Sequence, residues 1–155
     1  MDHLSSASSL SKILILNGPN LDLLGSREPH KYGTVSYAQL QMDLIQTGLQ
    51  WGYQIDCKQS NHEGELLDWI HEAPAQYVGI IINPGAYGHT SIALRDGLAA
   101  VGLPAIEVHI TQTAKRESFR HHTYLSEIVL GTLTGFGVYG YHLAVQALHH
   151  TLSHC

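Results

Sequence analysis

The chain is poor in cysteine, in positive charge and in long apolar runs, and each shortage removes a class of function. Its 155 residues include two cysteines, Cys57 in an apparent strand and Cys155 at the last position. Neither forms a CxxC motif or a disulfide framework, so the pattern predicts a reducing, cytoplasmic home. Eight Lys and Arg against thirteen Asp and Glu leave a net charge of −5. No basic stripe exists, which argues against a nucleic-acid partner. No apolar run approaches the ~20 residues of a membrane span. A P-loop, a G-x-S-x-G elbow and an HExxH motif are all missing.

What is present is an ordinary globular composition, 44% hydrophobic and 14% charged. The length is that of one domain and suffices to bury a core without disulfides or structural metal. The first eleven residues, MDHLSSASSLS, fit no signal or transit peptide and read as a disordered tail. Segment 12–152 reads as a single catalytic domain, with 153–155 as a short tail. Twelve histidines stand out, with His149, His150 and His154 crowding the C-terminus. Cationic side chains suit a helix C-terminal end, and no metal-ligand signature accompanies them, so no metal is expected.

Short apolar runs alternate with amphipathic stretches along the chain. Strands are predicted at 12–16, 53–59, 78–82, 105–110 and 128–136. Turn residues stop the first in Asn-Gly-Pro-Asn and the third in Asn-Pro-Gly. Ser36-x-x-Gln39 reads as a capping box before Leu40, Leu44, Ile45 and Leu49 at helical spacing. Asn61 reads as the cap of a helix carrying Leu66, Leu67, Trp69 and Ile70. Ser91 opens another with Leu94, Leu98 and Val101, and 138–152 is the last helix. Five strands alternating with helices predict an α/β fold, a flavodoxin-like doubly wound five-stranded parallel sheet of order 2-1-3-4-5 with helices on both faces.

Such folds bind ligands outside the carboxyl ends of their strands, near the switch point. The segments there, after the first, third and fourth strands, are also the richest in Asn, His, Arg and Tyr. Both cysteines lie outside them, which argues against a thiol nucleophile. The first loop, broken by Gly and Pro, carries Arg27 and Tyr32. A free tyrosine, with a pKa of about 10, is a poor base at neutral pH, and a nearby guanidinium favours the phenolate. Taken alone, Tyr32 could equally pack the loop and Arg27 be a solvated charge. Glu107 and His109 point to one face of their strand, and a carboxylate there can orient an imidazole as general acid. A buried histidine satisfied by a carbonyl is the structural alternative. Asn83, His89 and the helix opening at Ser91 suit an anionic group, as do Ile110 and Thr111 just past His109. Arg120 is a further clamp, although Lys115, Arg116 and Arg120 could equally form a solvated face. Asp96, alone, reads as surface. The inventory is a tyrosyl base, an imidazole acid and donors for an oxyanion, which suits proton abstraction beside a carbonyl with loss of a leaving group.

Taken together, LNGPNLDLLGSREPHKYG, INPGAYGHTSIALRD and IEVHITQTAKRESFRHHTYLS resemble the three signature regions of the type II 3-dehydroquinate dehydratases. The closing GFGVYGYHLAVQAL resembles that family's C-terminal helix. The resemblance implies a lyase that converts 3-dehydroquinate to 3-dehydroshikimate and water by trans elimination through an enolate, without cofactor or metal. By position Tyr32 matches the base, Arg27 its electrostatic support, Asn20 the group that helps hold the enolate, and His109 the acid with Glu107 as neighbour. Asn83, His89, Asp96, Ile110, Thr111 and Arg120 match substrate-binding positions. A homo-oligomer, a dodecamer built from trimers, and a mobile lid over 25–34 are implied too, as is service in the shikimate pathway or in quinate breakdown. The chain departs from the family pattern at Asp22, where Asn is usual, at Thr111-Gln112, where Ser-Asn is usual, and at Ser118. A flavin- or nucleotide-binding module of the same fold would carry phosphate-cradling Gly or Ser/Thr runs where this first loop has Arg, Glu, Pro and Tyr. A purely structural assembly protein would show no ligand response.

Overall fold

The computed structural model describes residues 9–154. The elements, in chain order, are β1 (Ser11–Asn17), α1 (Pro29–Tyr32), α2 (Tyr37–Gln50), β2 (Tyr53–Gln59), α3 (Glu63–Glu72), β3 (Gly79–Asn83), α4 (Ile92–Val101), β4 (Ala105–His109), β5 (Gly131–Thr134) and α5 (Tyr139–Ser153). All strand pairs are parallel, and the sheet order is β2-β1-β3-β4-β5, as expected.

The period-2 alternation of a strand explains how one short run serves two faces. Ile13 and Ile15 of β1 join Leu40 and Leu44 of α2 and Val145 and Leu148 of α5 on one side. Leu14 and Leu16 join Leu66 and Ile70 of α3 and Leu94 and Leu98 of α4 on the other. All four β1 side chains are fully buried, each contributing about 1.5–3 kcal/mol over an exposed position. The helices thus clamp a sheet whose central strands are apolar on both faces, and a polar rim forms where those strands end.

Boundaries differ from expectation in instructive places. Ser11 already belongs to β1 and Ser153 to α5, so neither is tail; residues 1–8 and 155 lie outside the described range. The last strand spans Gly131–Thr134, shorter than the predicted 128–136, because Ile128 and Val129 turn inward against the α3–α4 core instead of pairing. Ser36 caps α2, accepting from Gln39 N at 3.1 Å, but the Gln39 side chain goes on to Asp43 rather than closing a box. His62, not Asn61, precedes α3; the Asn61 carboxamide is drawn off to the first loop. Among the described residues no helix is long and apolar enough to cross a membrane.

Candidate active site

Three neighbouring strands end on polar residues: Asn17 on β1, Asn83 on β3 and His109 on β4. Asn17 and Asn83 are register partners, and both are buried. The loops that follow are held close. Gly18 N donates to the Asn83 carbonyl at 2.8 Å, and a Cβ on Gly18 would stand 2.2 Å from the Pro84 carbonyl oxygen. Only glycine permits that approach. Above this rim lies a pocket lined by residues of the loops that follow all three strands.

Ten of the eleven site residues predicted from the sequence bear on this pocket. Asn20, Arg27, Tyr32, Asn83, His89 and His109 line it, as do Ile110, Thr111 and Arg120. Glu107 stands behind His109. Asp96 does not reach it: the pitch of α4 turns that carboxylate outward, where it pairs with Arg95 at 2.9 Å on an exposed face. Within the single chain Asp96 stands apart from the pocket lining.

The acid end is tightly built. His109 Nε2 faces Glu107 Oε2 at 2.5 Å, so that nitrogen carries a proton toward the carboxylate and Nδ1 is left for a ligand. Glu107 Oε1 accepts from Ser126 Oγ at 2.8 Å and Thr123 Oγ1 at 3.1 Å. Burial pushes the Glu107 carboxyl up, but the bonds from His109, Ser126 and Thr123 outweigh it and hold the group below the usual carboxylate range. An ionised Glu107 fixes the imidazole's tautomer and orientation. His89 stacks beside it, ring centroids 6.1 Å apart, tethered by Nδ1 to the His122 carbonyl at 2.8 Å.

The base end is the first loop. Asn20 adopts a left-handed conformation with φ 69°, and its N–H donates to Asn61 Oδ1 at 3.0 Å. Asn61 therefore braces the loop that presents Asn20. Tyr32 closes the short helix α1. The Arg27 guanidinium carbon lies 5.2 Å from its ring centre, and that of Arg116 lies at 5.6 Å. Arg116 Nη1 also donates to the Tyr32 hydroxyl at 2.9 Å and to Thr111 Oγ1 at 3.2 Å. Arg116 thus joins the pocket, although by sequence it could equally have belonged to a solvated face. Its signal was its place in the segment after β4, but nothing there distinguished it from Lys115 or Arg120. Arg120 is half-turned to Glu117, which accepts from its Nε at 2.7 Å.

Two of the departures acquire structural places. Gln112 Oε1 accepts from Thr134 Oγ1 at 2.6 Å, tying the loop after β4 to the end of β5. Asp22 is exposed in a 3-10 turn, away from the pocket lining. Among the described residues no group of three His, Cys, Asp or Glu side chains is placed to hold a metal ion.

Residues 11–149 match the family model described as dehydroquinase class II. The chain is 54% identical over 137 residues to 3-dehydroquinate dehydratase 1 of Bradyrhizobium diazoefficiens, covering 88% of each chain. It is 52% identical over 137 residues to catabolic 3-dehydroquinase 2 of Aspergillus flavus, covering 88% of this chain and 91% of that one. Its structure superposes on the type II dehydroquinase of Propionibacterium acnes with a TM-score of 0.88 at 42% identity, covering 92% of this chain and 98% of the other.

Proposed function

The chain belongs to the class II dehydroquinase family, and from that premise we propose that it is a carbon–oxygen lyase converting 3-dehydroquinate to 3-dehydroshikimate and water. One observation carries the assignment of roles: a tyrosine hydroxyl held by an arginine shares a pocket with a carboxylate-backed histidine. Tyr32, as phenolate, removes the C2 proton of the substrate. Arg116 and Arg27 set positive charge against the Tyr32 hydroxyl and ring. The electrons of the broken C–H bond pass into the ketone, giving an enolate that Asn20 helps to hold through water. The enolate collapses to form the C=C bond and expels the hydroxyl, which takes a proton from His109 and leaves as water. A proton passed from Tyr32 through solvent to His109 resets the pair, so the net change is loss of one water.

The substrate carboxylate is a fixed negative charge, and the pocket offers Arg120, Thr111 and the turn after His109 to receive it. Asn83 and His89 face the ring hydroxyls. The exposed Ile92, Phe119, Leu130 and Phe136 supply apolar surface for assembly into the implied trimers and dodecamer. Light scattering on purified protein tests that assembly. A reducing cytoplasmic setting accords with the unpaired Cys57. The same site chemistry serves aromatic biosynthesis and quinate breakdown alike.

The test is the ultraviolet absorbance of the conjugated product on adding 3-dehydroquinate to pure protein. Growth of that signal is expected, unaltered by a chelator. A flat trace sinks the reading, and loss of activity with chelator removes its proton-only chemistry.

A further inference from the structure

A chain of hydrogen bonds runs beneath the pocket floor, across the ends of β1 and β3. Gly85 N–H donates to Asn83 Oδ1 at 3.1 Å, and Asn83 Nδ2 donates to the Tyr141 hydroxyl at 2.9 Å. That hydroxyl donates to Asn17 Oδ1 at 2.6 Å, and Asn17 Nδ2 donates to the Lys58 carbonyl at 3.3 Å. Both ends are backbone groups of fixed sense, since an N–H can only donate and a carbonyl can only accept. Turning either carboxamide over would set donor against donor at Gly85 or acceptor against acceptor at Lys58. Every link therefore has one polarity.

We infer that Tyr141 is a positioning residue for substrate, locking the Asn83 carboxamide so that it offers an N–H, and not a carbonyl, to an oxygen of the ligand. Tyr141 is fully buried, Asn17 likewise, and Asn83 nearly so, while Asn83 also lines the pocket. Burial drives the Tyr141 phenol well above its ordinary ionisation range, so its hydroxyl stays protonated and can accept and donate at once. Packing alone does not need that hydroxyl, because phenylalanine would fill the same core space beside Ala144 and Val145. With Asn83 Oδ1 engaged by Gly85 and one Nδ2 hydrogen by Tyr141, the second hydrogen is the donor left for a ligand. The group that meets it is an oxygen acceptor, such as a ring hydroxyl, and a ligand presenting an N–H there is disfavoured. Tyr141 thus selects for a hydroxylated ring from outside the pocket.

The inference rests on the dehydratase reading, and wild-type turnover of 3-dehydroquinate separates the two: an inactive wild type sinks that reading, whereas an active one makes the variants decisive. Steady-state kinetics would be measured on Tyr141→Phe, Asn83→Ala, the double variant and Asn17→Ala, each checked for folding by circular dichroism. Tyr141→Phe is expected to raise KM about ten-fold while kcat holds within about two-fold. In the Asn83→Ala background the same change should leave KM where Asn83→Ala put it, because its effect passes through Asn83. Asn17→Ala, outside the pocket, frees the Tyr141 hydroxyl to turn and should raise KM in the same direction. Unchanged KM in Tyr141→Phe overturns the inference, as do independent effects in the double variant. Should Tyr141→Phe fail to fold, Asn17→Ala decides, and a wild-type KM in that folded variant overturns it equally.

Discussion

Arg116 Nη1 donates to the Tyr32 hydroxyl at 2.9 Å, a contact spanning 84 positions of sequence. It joins the loop after β1 to the loop after β4, so the proposed base is assembled from two strand ends. A guanidinium presents several donors in a fixed plane and keeps its charge, which lets one nitrogen serve Tyr32 and Thr111 together. Arg116→Ala should lower kcat about 10²–10³-fold, the scale of losing one preorganised charged donor. Arg116→Lys should recover only part, because a single ammonium cannot reproduce the fork. Wild-type kcat in Arg116→Ala would remove this residue from the mechanism.

Tyr32→Phe tests the base itself. The ring can still pack against Arg27 and Arg116, so the site keeps its shape, but nothing remains to accept the proton. General-base removal costs about 10²–10⁴-fold, so kcat should fall by at least ~10². Calorimetric binding of 3-dehydroquinate should change by only a few-fold. A variant that turns over normally would move the base elsewhere.

How much of this was legible in the sequence follows from where the chemistry sits. Buried parallel strands leave unmistakable apolar runs, and Asn17, Asn83 and His109 fall where those runs stop. The sheet order and the pocket's three loops were readable for that reason. Arg116 was not, because its segment folds as 3-10 turns with no periodicity to tell an inward cation from an outward one. Asp96 shows the converse: its motif position matches, while within the single chain α4 aims it at solvent and Arg95. Asn61 looked like a helix cap by residue type, and the competing pull of Asn20 N–H and Gln59 Nε2 won its side chain. The Asn17–Tyr141 link joins residues 124 positions apart, beyond any local signal.

Glu107 predicts an acid-sensitive contribution to stability. Its carboxyl is held below its ordinary 4.5 despite burial, by His109, Ser126 and Thr123. A depressed carboxylate stabilises the fold above its unfolded pKa, and that contribution fades as pH falls through the folded value. The melting temperature of wild type should therefore exceed that of Glu107→Gln at pH 7. The gap should narrow below pH 4.5 and close in stronger acid, where both side chains are neutral. A gap constant across that range would show that charge on Glu107 contributes nothing. The same variant should lose activity at pH 7, since a neutral amide no longer stabilises the imidazolium.

Gly18→Ala probes the contact that brings the two pocket loops together. The added methyl would meet the Pro84 carbonyl oxygen at 2.2 Å and its carbon at 2.6 Å, both backbone atoms that cannot rotate away. One loop must retreat, stretching the 2.8 Å bond from Gly18 N to the Asn83 carbonyl. Overpacking of this kind costs about 1–3 kcal/mol, read as a lower denaturation midpoint. The displacement also separates Asn20 from Asn83, which flank the pocket on the two loops. Since a misplacement near 1 Å costs about 10²-fold in positioned chemistry, kcat/KM should fall by more than the stability loss explains, even well below the melting transition. A variant less stable yet catalytically normal would show that the loops move independently of the site, and that the close packing at Gly18 serves the fold alone.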